Sequence, residues 1–232
     1  MPVDFLTAAQ EQRYGRYADE PTPAQLAKYC FLDDGDRARI RQLRGRHNQL
    51  GFALQLGTVR YLGTFLADPT AVPAAVLRFV AGQCALPLAT DLARYRTGET
   101  RWSHRRLITA QYGYRDFPDR PAHFRLVRWL YARAWTGAER PSVLFDLATA
   151  RLVEQKILLP GATVRARLVA RVRDRAAARL WHCLATAPDA AQCARLDALL
   201  LVPPGARQSA LDRLAVHRRA SVPRHYSAHS SG

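Results

Sequence analysis

Residues that start and stop helices recur along this chain at helix-length intervals, and the apolar residues between them fall at helical rather than alternating spacing. Thr22-Pro23 reads as an N-cap with proline at the first helical position, opening a helix over 24–30. Asp33 or Asp34 caps a second that runs to about Arg44, and a third covers 47–60 with Leu50, Ala53, Leu54 and Gly57 on one face. Short helices joined by brief turns predict a compact trihelical unit, the usual chassis of a helix-turn-helix domain.

The same punctuation continues. Val72-Pro73 starts a helix with Val76, Leu77, Val80 and Cys84 at helical spacing, and a short segment follows at 91–95. Thr97-Gly98 then turns into a helix from Thr100 to Tyr112, with Thr100 as the expected N-cap and Gly113 as its stop. Helices over about 121–137 and 142–156 follow, with Ser142 near the start of the second. The tight turn Leu158-Leu159-Pro160-Gly161 leads to Thr163, the expected cap of a long helix ending near Ala185. A last pair, about 189–201 and 207–214, flanks Pro203-Pro204-Gly205. The expected class is all-α: two small helix-turn-helix-like domains in series, 1–117 and 118–214, with Pro118 and Pro121 at the boundary. Residues 215–232 mix Ser, His and Arg without period and are expected to form a disordered tail.

Charge is concentrated in part of this pattern. The chain has 232 residues and a net charge of +16. From Thr100 to Arg179 there are 17 basic residues, all Arg except Lys156, against 6 acidic ones, a net +11. Residues 1–99 carry only +2. A local excess of this kind is the footprint of a polyanion partner, and nucleic acid leads. Arginine outnumbers lysine because of base composition as readily as function. That bias explains neither the excess of base over acid nor its position.

Three segments carry the candidate contacts. Arg96, Thr100, Arg101, Ser103, His104, Arg105 and Arg106 lie on a turn and the first turns of the helix it feeds. There, free N–H groups suit phosphate and side chains reach base edges. Trp102 and Leu107 are expected to face inward. On the long helix, Val164, Leu168, Val172, Ala176 and Leu180 suggest a buried stripe, while Arg167, Arg171, Arg175 and Arg179, with Arg165 and Arg173 beside them and Thr163 at the helix start, suggest a second, basic one able to follow a groove. Arg37, Arg39, Arg41, Arg44 and Arg46, with Asn48, form a third cluster, diluted by Asp33, Asp34 and Asp36 just upstream. Each of these also reads as a solvated basic face.

No phosphate-binding loop, nucleophile elbow or zinc-protease motif is present in the sequence, and the acidic residues show no two-metal spacing. The four cysteines form no C-x-x-C pair, so neither a metal nor any other cofactor is expected. Neither a membrane-length apolar run nor a signal pattern occurs in the sequence, which predicts a cytoplasmic protein.

An ordered series of blocks resembles the N-terminal region of the Tn-three family of replicative transposases. It begins with Phe5-Leu6-Thr7 and Leu26-Ala27-Lys28-Tyr29-Cys30-Phe31-Leu32-Asp33. The clearest block is Arg46-His47-Asn48-Gln49-Leu50-Gly51-Phe52-Ala53-Leu54-Gln55-Leu56, continuing to Val59-Arg60-Tyr61-Leu62-Gly63. Tyr95-Arg96, Thr100-Arg101, His104, Tyr112-Gly113-Tyr114-Arg115, Leu158-Leu159-Pro160-Gly161, Leu196-Asp197-Ala198-Leu199-Leu200 and Ser209-Ala210-Leu211 follow. The resemblance implies a helical part that binds the transposon's terminal inverted repeats as double-stranded DNA, with Arg115 among the contacts. It also implies that catalysis resides in a separate downstream domain beyond this sequence, and that a full-length transposase is a partner or competitor. The residues after Leu214 match nothing expected of the family. General nucleic-acid binding by charge alone is the alternative, and an unrecognised DNA-cleaving enzyme a third.

Overall fold

The computed structural model describes residues 6–7, 14–118, 120–137 and 139–214; the expected tail at 215–232 lies outside them. Among these residues the fold is all-α. Its helices are α1 (Pro23–Tyr29), α2 (Asp34–Gln42), α3 (Arg46–Leu62), α4 (Ala74–Gln83), α5 (Ala93–Thr97), α6 (Thr100–Gln111), α7 (Arg120–Thr136), α8 (Pro141–Glu154), α9 (Ala162–Thr186) and α10 (Ala190–Leu200). No strand occurs among the described residues, where one parallel bridge pairs Arg115 with Ile157. No described helix is long and apolar enough to cross a membrane.

Local chemistry accounts for several starts. Thr22 and Gln25 exchange side-chain and backbone hydrogen bonds at the head of α1, and Asp33 and Asp36 do the same for α2. Each such box satisfies two otherwise orphaned N–H groups. Two expected caps differ. Thr100 and Thr163 are the first and second residues inside their helices, because Glu99 already has helical geometry and the Gly161 carbonyl already accepts the Val164 and Arg165 N–H groups.

Helix α3 is the hub. Every residue from Leu50 to Val59 is buried, and α1, α2, α4, α5 and α6 all pack on it. Gly51 makes one of these contacts possible: a Cβ there would meet the Tyr95 ring at 2.3 Å. A mid-helix glycine costs about 1 kcal/mol relative to alanine, a cost offset by burying Tyr95 to 1% exposure.

Two apolar cores form. One gathers Leu26, Ile40, Leu50, Phe52, Leu54, Leu56, Val76, Val80 and Ile108 around α3; the other joins α7, α8 and α9 through Leu126, Leu130, Phe145, Leu152, Val169 and Val172. Backbone hydrogen bonds stitch them together: Leu159 N–H to the Gly63 carbonyl at 2.9 Å, Arg115 N–H to the Lys156 carbonyl at 3.0 Å, and Leu158 N–H to the Arg115 carbonyl at 2.8 Å. Both cores belong to one compact unit ending at Ala177. The second unit begins at Ala178 and includes α10, which buries none of its residues.

Candidate nucleic-acid interface

Of the basic residues between 100 and 179, only Arg133 forms an ion pair among the described residues, with Glu139. The surplus charge is therefore displayed rather than neutralised within the fold. Its display is uneven, and the two main segments lose one candidate each to the core.

On α6, Ser103 and Arg106 are exposed, as is Arg96 on α5, while Thr100 is half-buried. Arg101 and Arg105 are half-buried and held on aromatic rings. The Arg101 guanidinium lies 4.8 Å from the Trp102 ring centroid and Arg105 lies 5.0 Å from that of Phe65. Such cation–π seating restrains a flexible side chain. Nε of Arg101 is buried without a hydrogen-bond partner. Its carbonyl accepts a 3.1 Å hydrogen bond from Gln55 on α3, which fixes the helix start to the core. Trp102, expected inside, is 45% exposed, because the inward face of this turn is taken by His104 and Ile108.

His104 corrects the expected site. It is 5% exposed, edge-on to Phe52, with Nδ1 3.0 Å from the Tyr95 hydroxyl. That hydroxyl also accepts from Gln55 at 2.7 Å. Burial lowers the His104 pKa to about 4, so the ring is neutral near pH 7. It packs α6 against α3 and α5 from within the core rather than projecting from the surface.

On α9, Thr163, Arg167, Arg171, Arg175 and Arg179 are exposed. Arg165 is the second correction: it is 2% exposed and its guanidinium sits 5.0 Å from the Tyr14 ring and 4.8 Å from that of Phe145. Its Nη1 donates to Thr149 at 2.6 Å, and burial lowers its pKa to about 10, against the favourable pull of Tyr14 and Asp146. The apolar stripe also departs from expectation at both ends, with Val164 49% and Leu180 38% exposed. Positions four apart drift about 40° per step around a 3.6-residue helix, so a run of that spacing cannot stay on one side. The buried set is instead Arg165, Ala166, Leu168, Val169, Val172 and Ala176.

Arg44 and Arg46 are exposed beside the head of α3, and Asn48 there donates its side-chain amide to the Arg44 carbonyl at 2.7 Å. Arg46 shares a cleft with Arg94, which the sequence reading missed although it lies two residues before Arg96. Arg115 is exposed, and its backbone joins the two cores. Arg125 and Arg128, exposed beside the 65%-exposed Phe124 on α7, were also missed. Their spacing of three residues was the available signal. Among the described residues no group of acidic, His or Cys side chains is arranged to hold a metal.

An all-α protein displaying unneutralised arginines on α6, α7 and α9 has the surface chemistry of a polyanion-binding module. Residues 5–172 match a family described as a domain of unknown function, DUF4158, and the chain belongs to that family. It is 51% identical over 215 residues to the transposase for transposon gamma-delta of Escherichia coli strain K12, covering 92% of this chain and 22% of that protein. It is 32% identical over 214 residues to the transposase for transposon Tn501 of Pseudomonas aeruginosa, and 29% identical over 202 residues to that for Tn3926 of Escherichia coli. Those alignments cover 88% and 86% of this chain and 20% of each relative. The chain thus spans about a fifth of the length of the curated relatives it matches, and its similarity is to part of a Tn-three family transposase.

Proposed function

We propose that this chain binds double-stranded DNA in transposition, recognising the terminal inverted repeats of its transposon without cleaving them. The supporting observation is the arginine surface on α6 and α9, free of ion pairs among the described residues, in a chain 51% identical over 215 residues to part of a transposase. Arg101, Ser103, Arg105 and Arg106 read base edges, and Arg167, Arg171 and Arg175 bind phosphates. The functional division follows residues 1–117 and 118–214, and a full-length transposase competes for the same DNA ends.

Electrophoretic binding to a terminal-repeat duplex and to a scrambled duplex, across a salt series, tests this reading. Expected are a clear preference for the repeat and steep salt dependence. Equal affinity for both duplexes would reduce the protein to charge-driven binding. Strand nicking with magnesium or manganese would overturn the division between binding and catalysis.

A further inference from the structure

Of 35 basic side chains outside histidine, only Lys28 and Lys156 are lysines. They lie 128 positions apart in sequence, yet both line the same cleft of about 230 Å³. Its walls come from α1, α3, the end of α8 and Tyr114, so it lies along the seam between the two apolar cores. In a chain that uses arginine elsewhere, this convergence sets the cleft apart.

The charge there is uncommitted. Arg60, also in the wall, pairs with Asp36 on its other side at 2.9 Å. Neither Lys28, Lys156 nor the exposed Glu154 beside them forms an ion pair among the described residues. Lys28 Nζ lies 5.0 Å from the Tyr29 ring centroid, and Lys156 Nζ donates a single hydrogen bond, to the Tyr112 carbonyl at 3.2 Å. Two ammonium groups against one carboxylate leave a net positive cleft. An ammonium is a compact charge with rotatable donors, suited to a narrow space where a planar guanidinium fork needs more room.

The backbone adds an independent observation. Lys156 has φ of +53°, and the following Ile157 N–H bonds to the Leu152 carbonyl at 2.9 Å. This is the left-handed position of a helix-ending motif where glycine is the unstrained residue. A lysine here carries backbone strain while projecting its charge at the cleft, and strain of this kind gathers at functional positions.

We infer that this cleft receives a backbone phosphate of bound duplex DNA, held between Lys28 and Lys156. At about 230 Å³ the space is smaller than sites that enclose a drug-sized ligand, about 300–1,000 Å³. It suits one anionic group presented by a larger molecule that stays outside. The inference rests on the DNA-binding reading and deepens it by adding a contact at the seam of the cores.

Because the chain has only two lysines, amine acylation followed by peptide mass spectrometry reads the cleft directly. Acylation would be compared for the full chain alone, with terminal-repeat duplex, and with inorganic phosphate. Expected is slowed acylation of both lysines with duplex, at least several-fold, and little change with phosphate at matched ionic strength. A Lys28→Gln/Lys156→Gln variant should lose affinity for repeat and scrambled duplex alike, and its log K against log salt slope should shallow by about 1 to 2. Its thermal midpoint should hold, as both side chains are exposed. If wild type binds duplex while both lysines acylate at their free rate and the variant keeps affinity and slope, the inference fails and the DNA reading survives. Protection by inorganic phosphate equal to that by duplex overturns the assignment to DNA. A wild type that binds no duplex sinks both.

Discussion

Asp36 and Arg60 form an ion pair at 2.9 Å, with the Asp36 side chain 3% exposed and that of Arg60 24% exposed. The same carboxylate accepts a 2.6 Å hydrogen bond from Tyr112 and caps the Asp33 N–H at 3.2 Å. One buried acid therefore ties the start of α2, the last turn of α3 and the end of α6.

Removing that acid leaves Arg60, the Tyr112 hydroxyl and a helix-start N–H without their partner. Asp36→Ala is expected to destabilise by about 3 kcal/mol, at the lower end for a broken buried pair because Arg60 keeps contact with water. Urea unfolding checks it through a lowered midpoint at unchanged slope.

Gly51→Ala places a methyl group 2.3 Å from the Tyr95 ring, and the ring cannot retreat because Gln55 and His104 hold its hydroxyl. Destabilisation of about 1–3 kcal/mol is expected despite alanine's better helix propensity. A variant as stable as wild type would show that Tyr95 has room to move.

His104 makes stability depend on pH. Its pKa falls from 6.5 to about 4 on folding, so between those values the unfolded chain binds more protons and stability rises with pH. The contribution is fully present above about pH 6.5 and is lost as pH falls towards 4. At pH 5 the loss is roughly 2 kcal/mol. Thermal melts at pH 7 and pH 5, repeated on His104→Gln, should show a smaller acid shift in the variant.

Arg101→Ala and Arg105→Ala are expected to weaken binding to a terminal repeat by about 1–3 kcal/mol while affecting scrambled duplex less. Titrations on the two duplexes at one salt concentration decide this. Equal losses would make both residues phosphate contacts.

Arg171→Ala/Arg175→Ala should lower affinity for every duplex, shallow the salt dependence and leave the thermal midpoint unchanged, since both side chains are exposed and unpaired among the described residues. A fall in midpoint would show that the stripe supports the fold.

The helices were legible because their signals are local: Thr22-Pro23 and Asp33 act within one turn of themselves. Burial of individual polar residues was not. His104 and Arg165 look like surface residues until Tyr95, Phe52, Tyr14 and Phe145 are brought against them, and nothing in their own neighbourhoods announces those contacts. Arg101 and Arg105 were singled out from charge and helix position, whereas the aromatic seats beneath them come partly from Phe65, far away in sequence. Lys28 and Lys156 were invisible as a pair because sequence separation hides a shared cleft.

Tyr14 donates to Asp146 at 2.6 Å across 132 positions of sequence, and its ring covers the Arg165 guanidinium. Three residues on, the Tyr17 hydroxyl meets Thr58 at 3.1 Å and its ring stacks on Tyr61. Translation makes Tyr14 132 residues before Asp146, so at about 5–20 residues per second its binding place does not exist until on the order of 10 s later. Closing so long a loop is slow relative to forming the helices. Tyr14 is thus made well before its partners and seated only after them, and until it seats, the Arg165 charge faces an unfinished wall.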